Sequence, residues 1–114
     1  MSAITTHVLD TARGRPAAGV PVLLEVIGPR DQWQEIGRGV TDPDGRLKTL
    51  MPGSEALTAG VYRLVFDTRA YFETQRTRGF YPQVTVTFEV GEGDAHYHVP
   101  LLLSPFGYST YRGS

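Results

Sequence analysis

The chain has 114 residues, of which 40% are hydrophobic, 20% charged and 11% aromatic, a balance typical of a globular protein and of one domain over residues 1–114. A formal charge of −1 and the lack of cysteine exclude a large basic nucleic-acid surface, disulfides and thiolate chemistry. No apolar run is long enough to span a bilayer and no signal-peptide pattern opens the chain, so cytoplasmic location is the default expectation.

The first predicted strand contains His7, within the stretch THVLDTARGRPA. Taken alone, this histidine is a surface or rim residue, but an imidazole near its ordinary pKa can also serve as a general base. The next strand, GVPVLLEVI, is apolar on both faces apart from Glu25. Pro21 fits best at its start, because proline cannot donate to a strand ladder.

A tight turn is predicted at TDPDGR. Pro43 presets the backbone of its second position, and Gly45 is free to take a positive φ. The turn delivers Arg46, which by itself is typical of a solvated turn residue. The same side chain could also present a planar cationic fork to a ligand.

Two further strands flank the one predicted helix. GVYRLVFD and PQVTVTFEV alternate with a period of two, so one face of each is apolar. Between them, DTRAYFETQR has a capping residue at Asp67 or Thr68. Tyr71, Phe72 and Gln75 are expected to form its inward face.

The stretch HYHVPLLL predicts a strand with two outward histidines. His96 and His98 share one face, whereas the other face carries the apolar core residues. Histidines two apart on a strand can converge on a metal ion, but a third protein ligand would be needed. The alternative is a pair of exposed strand histidines, and the spacing favours it, because His-x-His without a third ligand is a weak signal for a metal site.

The last stretch, SPFGYSTYRGS, alternates and is aromatic, so it predicts a final paired strand. Such pairing would hold Tyr111 in place and would fix the terminal carboxylate of Ser114. About seven or eight short strands and one helix predict a mainly β protein, a β-sandwich.

Four segments together resemble the 5-hydroxyisourate hydrolase branch of the transthyretin-like family. They are THVLDTARGRPA, TDPDGR, FYPQVTVTF and HYHVPLLLSPFGYSTYRGS, in the family's order over nearly the whole chain. The terminal Tyr-Arg-Gly-Ser is the branch's most specific mark. The resemblance implies a transthyretin-like β-sandwich of two four-stranded sheets with one short helix, and a homotetramer with its sites at the dimer–dimer interface.

The resemblance also implies an activity and a set of site residues. The reaction is the hydrolytic opening of 5-hydroxyisourate to 2-oxo-4-hydroxy-4-carboxy-5-ureidoimidazoline in urate degradation, without a cofactor or metal. The implied catalytic residues are His7, Arg46, His98 and Ser114, and the implied substrate-binding residues are His7, Arg46 and Tyr111. Two alternatives are a non-catalytic carrier of a small ligand and a metal-binding sandwich built on His96 and His98.

Overall fold

The computed structural model describes residues 3–51, 57–93 and 96–114. Over these residues the chain forms nine β-strands, one α-helix and a short 3-10 turn at Pro29–Asp31. The strands are β1 (Ile4–Asp10), β2 (Arg15–Pro16), β3 (Pro21–Ile27), β4 (Trp33–Val40), β5 (Arg46–Leu47), β6 (Gly60–Phe66), β7 (Val84–Val90), β8 (Tyr97–Ser104) and β9 (Gly107–Thr110). The helix, α1, is Thr68–Thr74.

The strands form two sheets, in the orders β2-β1-β8-β9 and β4-β3-β6-β7. Strand β5 also pairs with β1, so the first sheet has five strands. The predicted mainly β fold with two sheets and one helix is therefore confirmed. The first sheet has one strand more than the four predicted. Its strands β2 and β5 have two residues each, and elements that short show no periodicity in a sequence.

The core lies between the apolar faces that the alternation predicted. On β6 and β7 the residues Tyr62, Leu64, Phe66, Val84, Val86 and Val90 are all buried. The facing strands contribute Ile4, Val8, Tyr97, Val99, Leu101 and Leu103, which are also buried. As expected, β3 begins at Pro21, where the missing N–H costs no ladder bond.

Helix α1 joins the end of β1 to this core. Asp67 caps the helix, since its carboxylate accepts a 3.0 Å bond from the backbone N–H of Ala70. Tyr71 is buried and its hydroxyl donates a 2.6 Å bond to the buried carboxylate of Asp10. Gln75, expected on the inward face, instead follows the last helical residue. In the described part of the chain no helix is long and apolar enough to cross a membrane.

Strand pairing brings three distant segments to one place. Strands β1 and β8 are parallel neighbours, with Thr5 opposite His98. On the other edge of β1, Arg46 of β5 lies opposite His7. Residues that face each other across a ladder point to the same side of the sheet. The outer face of this sheet therefore carries polar residues from the start, the middle and the end of the chain.

Candidate active site

The turn before β5 holds Arg46 against β1. One carboxylate oxygen of Asp42 accepts bonds of 2.9 Å from the backbone N–H groups of Asp44 and Arg46. Gly45 has a φ of +77°, and a Cβ there would lie 2.4 Å from the carbonyl oxygen of Val8. Glycine is thus needed both for the backbone conformation and for the close approach. The predicted turn and its glycine are confirmed.

The Asp42 carboxyl is adapted to this capping role. Its hydrogen bond from the backbone of Arg46 holds its pKa below the usual value, and the bond from Asp44 adds to the effect. The ionised side chain is the form that accepts both bonds. The turn that delivers Arg46 is therefore closed by a carboxylate rather than by backbone bonds only.

The imidazole of His7 docks on the same turn. Its Nε2 lies 2.9 Å from the carbonyl oxygen of Asp44. A carbonyl oxygen can only accept, so Nε2 must carry a proton and donate it. When His7 is neutral, its remaining lone pair is therefore on Nδ1.

Thr5 connects the two histidines of the His-x-His pair. Its Oγ1 lies 2.8 Å from Nδ1 of His98 and 3.2 Å from Nε2 of His96, and Thr5 is only 4% exposed. Burial lowers the pKa of His98 below its ordinary value of 6.5, and the charges of Arg46, His7 and His96 lower it further. His98 is thus kept neutral at neutral pH, as a base must be.

These groups border one concave site of about 250 Å³. Its lining consists of Thr5, Thr6, Arg46, Lys48, His96, His98 and Ser114. Three of the five predicted site residues, Arg46, His98 and Ser114, are therefore brought together. His7 lies beside Arg46 in the ladder but does not line the cavity, and Tyr111 does not line it either.

Cavity volume alone does not identify the candidate active site of this chain. Two larger concavities of about 610 and 650 Å³ lie elsewhere in the described residues, and neither is lined by a histidine. Of these three cavities in the described part of the chain, only the smaller one combines an imidazole of lowered pKa with a guanidinium. Perturbed titratable groups in a cleft are better indicators of chemistry than size.

The end of the chain continues the pairing of β9 beyond its last strand residue. The backbone N–H of Gly113 donates a 2.8 Å bond to the carbonyl of His98. Arg112 turns towards the core side, where its guanidinium lies 4.2 Å from the centre of the Tyr97 ring. Tyr111, which precedes it, is 57% exposed and borders a second cavity of about 250 Å³.

Gly113 is required by close packing against the His98 ring. A Cβ at this position would lie 2.7 Å from Cδ2 of His98, closer than carbon atoms approach in folded proteins. We expect Gly113→Ala to displace the imidazole and to lower kcat by about tenfold to 10²-fold, as a misplaced catalytic group does. Steady-state kinetics on the purified variant measures this effect.

Gly107→Ala is the matched control. Gly107 also pairs with β8, but a Cβ there would have no neighbour closer than Ser104 Oγ at 3.8 Å. This variant should keep the wild-type kcat. Equal kinetics of the two variants would show that the contact between Gly113 and the imidazole has no catalytic importance.

Three lining residues, Thr5, Thr6 and Lys48, were not considered as site residues in the sequence. Lys48 follows Arg46 by two positions, so strand periodicity could have suggested a second cation on the same face. Thr5 had no such signal, because its contact with His98 spans 93 positions of the chain. Only the parallel pairing of β1 and β8 reveals that contact.

The chemistry available at this site is that of a general base beside fixed cations. A neutral imidazole can take a proton from water, and a guanidinium can stabilise an oxyanion. Within residues 3–51, 57–93 and 96–114, no group of three or more histidine, aspartate or glutamate side chains is arranged to hold a metal ion.

Comparison with known sequences gives one family. The model of the HIUase/Transthyretin family matches residues 4–113. A relative named 5-hydroxyisourate hydrolase from Salmonella dublin is 46% identical over 112 residues, which cover 97% of this chain and 80% of the relative. A relative of the same name from Mus musculus is 45% identical over 114 residues, with 99% and 96% of the two chains covered.

Solved structures agree with these sequences. The chain is similar to Klebsiella pneumoniae 5-hydroxyisourate hydrolase, with a TM-score of 0.84, 35% identity and coverage of 99% and 100% of the two chains. It is also similar to sea bream transthyretin in complex with thyroxine, with a TM-score of 0.90, 36% identity and coverage of 97% and 94%. The fold is thus shared by proteins of two different functions.

Proposed function

Because this chain belongs to the HIUase/Transthyretin family, we infer that it hydrolyses 5-hydroxyisourate in urate degradation, as its curated relatives of that name do. The observation that supports this activity is the cavity in which His98 and Arg46 meet. Hydrolysis of a cyclic amide needs a base for water and a cation for the oxyanion, and both are present there. The hydrolase names of the relatives do not favour the alternative of a non-catalytic carrier.

The reaction balances without an oxidant or a reductant. Water adds to a ring carbonyl and gives a tetrahedral oxyanion. The carbonyl carbon then loses its bond to the ring nitrogen, which takes a proton. The product, 2-oxo-4-hydroxy-4-carboxy-5-ureidoimidazoline, has gained one water and carries a new carboxylate.

We assign the first proton transfer to His98. Nδ1 of this ring contacts Thr5, so Nε2 is the ring nitrogen left to face water. The lowered pKa keeps the ring neutral at neutral pH. Arg46 then holds the carbonyl oxygen as it becomes an oxyanion, and Lys48 supplies a second positive charge near the carboxylate of the product.

His7, in its doubly protonated form with Nε2–H on the Asp44 carbonyl and the second proton on Nδ1, is assigned the transfer of that second proton to the departing nitrogen. It lies opposite Arg46 in the ladder between β1 and β5, and its bond to the Asp44 carbonyl orients the ring. Tyr111 is assigned to substrate binding, although in a single chain it is largely exposed and borders another cavity. The site therefore needs a further surface to close over the substrate.

A second copy of the chain is the surface that we propose. The polar outer face of the five-stranded sheet would meet its equivalent in a homotetramer, with the sites at the dimer–dimer interface. Contact across this face would cover the half-buried His98 and bring a tyrosine near the substrate. Light scattering coupled to size exclusion measures the mass in solution, and a monomer of 12.6 kDa would contradict this assembly.

One domain over residues 1–114 and a cytoplasmic location remain predictions.

We expect an extension after Ser114 to harm catalysis far more than stability. Ser114 lines the cavity beside Arg46 and His98. Two alanines added after it would fill part of this space, while the core strands stay unchanged. Kinetics and thermal unfolding of the extended and native chains measure the two effects.

Ser114→Ala separates the effect of the hydroxyl from the effect of filling the cavity. It removes only the hydroxyl and leaves the cavity open. If the hydroxyl does not act, this variant is active and the extended chain is not. Full activity of the extended chain would remove Ser114 from the proposed machinery.

Product identification is the direct test of the proposed reaction. 5-Hydroxyisourate is generated in situ from urate by urate oxidase and incubated with the protein. The product is examined by ¹³C NMR and mass spectrometry. Rapid appearance of a species with one added water and a new carboxylate supports the proposal. Formation of that species no faster than in the protein-free sample would contradict it.

A further inference from the structure

The hydroxyl of Thr5 stands between two imidazole nitrogens but has one proton to donate. Its Oγ1 lies 2.8 Å from His98 Nδ1 and 3.2 Å from His96 Nε2. A neutral imidazole offers one N–H and one lone pair. The direction of the two hydrogen bonds therefore decides which nitrogen of each ring carries the proton.

With both rings neutral, two arrangements use the hydroxyl proton. In the first, Thr5 donates to His98 Nδ1 and accepts from Nε2–H of His96, so the proton of His98 is on Nε2. In the second, Nδ1–H of His98 donates to Thr5, which donates to Nε2 of His96. Only the second leaves a lone pair on Nε2 of His98, where a base needs it.

We propose that Thr5 is a positioning residue that holds His98 in its Nδ1–H tautomer, with His96 as the acceptor of the hydroxyl proton. This inference rests on the proposed function and deepens it. The sequence left the role of His96 open. Here His96 accepts the hydrogen bond from Thr5, and this role requires neither a metal nor contact with the substrate.

The packing around Thr5 suits such a role. The residue is 4% exposed and sits opposite His98 in the β1–β8 ladder. Its β-branched side chain has few rotamers, so the hydroxyl stays in place. The backbone of Gly113 covers the Cδ2 edge of the imidazole. The ring of His98 is thus fixed between two strands, with only its tautomer left to be chosen.

Protonation of His96 would reverse the two hydrogen bonds. A charged His96 can only donate to Thr5, so the Thr5 hydroxyl loses the acceptor for its own proton and becomes available to donate that proton to Nδ1 of His98, the arrangement that removes the lone pair from Nε2. The other charged groups around His98 are His7 from β1, Arg46 from β5 and Lys48 across the cavity. His96 differs from these groups because it reaches His98 through a hydrogen bond.

Nitrogen NMR of the wild-type protein tests the tautomer directly. Two-bond ¹⁵N–¹H spectra of ¹⁵N-histidine-labelled protein at pH 8 distinguish a protonated from an unprotonated ring nitrogen. We expect His98 with a proton on Nδ1 and none on Nε2. A neutral His98 protonated on Nε2 would overturn the proposal. Because this measurement needs no turnover, it is independent of the proposed activity.

Kinetics of Thr5 variants test the consequence. Thr5→Val keeps the shape but removes the hydroxyl, and we expect kcat to fall by about 10- to 100-fold with a much smaller change in KM, as when the partner of a functional histidine is lost. Thr5→Ser keeps the hydroxyl and should stay near wild type. In Thr5→Val the NMR signature should also change, with His98 gaining a proton on Nε2.

Thr68→Val is the matched control. Thr68 is fully buried and its hydroxyl donates a 2.7 Å bond to the carbonyl of Tyr81, and it does not line the cavity that holds His98. This variant should lose stability and keep the wild-type kcat. Wild-type kcat in Thr5→Val, or an equal loss in Thr5→Ser, would overturn the proposal. If Thr5→Val does not fold, Thr5→Ser and the wild-type spectrum decide it.

Discussion

Replacing His98 by asparagine is expected to lower kcat by about 10²–10⁴-fold, the usual worth of a general base. Asparagine keeps a polar side chain of similar reach but cannot take a proton from water at neutral pH. The core residues on either side of His98 in β8 are unaffected, so the midpoint of thermal unfolding should change little. Single-turnover absorbance kinetics measures the chemical step, and an unchanged rate would remove His98 from the mechanism.

The pH profile of the wild-type enzyme gives an independent check on this histidine. Since burial and the nearby charge of Arg46 lower its pKa below 6.5, His98 becomes protonated only in more acidic solution. We therefore expect kcat/KM to hold down to about pH 6.5, the unperturbed value for histidine, and to fall below it. The acid limb should be absent in the His98→Asn variant, whose residual rate no longer depends on that proton.

Replacing Arg46 by methionine is expected to lower kcat/KM by about 10²–10³-fold, the usual loss when a donor to an oxyanion is removed. Methionine keeps the unbranched stem and removes the guanidinium. The backbone bonds between Asp42 and residue 46 do not involve that group, so the turn should persist. Steady-state kinetics with circular dichroism measures activity and fold together.

Arg46→Met is also expected to raise the pKa of His98. Loss of the cationic neighbour raises this pKa towards 6.5, so the acid limb should move to higher pH. Arg38→Met is the matched control, because Arg38 is exposed on β4 and pairs only with Glu35 among the described contacts. It should leave both kcat/KM and the pH profile unchanged. An Arg46→Met enzyme with wild-type kcat/KM would contradict the role of Arg46 in holding the oxyanion.

Period-two alternation was enough to predict the two sheets and the face on which His98 lies. Hydrophobic burial dictates that period, so the pattern of β8 can be read from the sequence. The turn that delivers Arg46 was predictable for a similar reason, since its glycine and its capping carboxylate act over four residues. Local chemistry of this kind leaves a signal in a short stretch of sequence.

Contacts between distant strands left no such signal. The bond between Thr5 and His98 depends on the parallel pairing of β1 with β8, which no local pattern specifies. The position of Tyr111 relative to the site is likewise not specified by a local pattern. In a single chain Tyr111 borders another cavity, so its predicted part in substrate binding depends on a second copy of the chain and stays a prediction. The tautomer of His98 likewise depends on two hydrogen bonds that only the packed structure contains.

Ultraviolet absorbance of freshly generated 5-hydroxyisourate, followed with and without the wild-type protein, tests the central claim most directly. 5-Hydroxyisourate decays spontaneously, so the protein-free sample supplies the reference rate. We predict that catalytic amounts of the wild-type protein accelerate the decay strongly, and that equal amounts of His98→Asn do so far less. A decay rate in the presence of wild-type protein that equals the spontaneous rate would contradict the claim that this cavity is a hydrolase site.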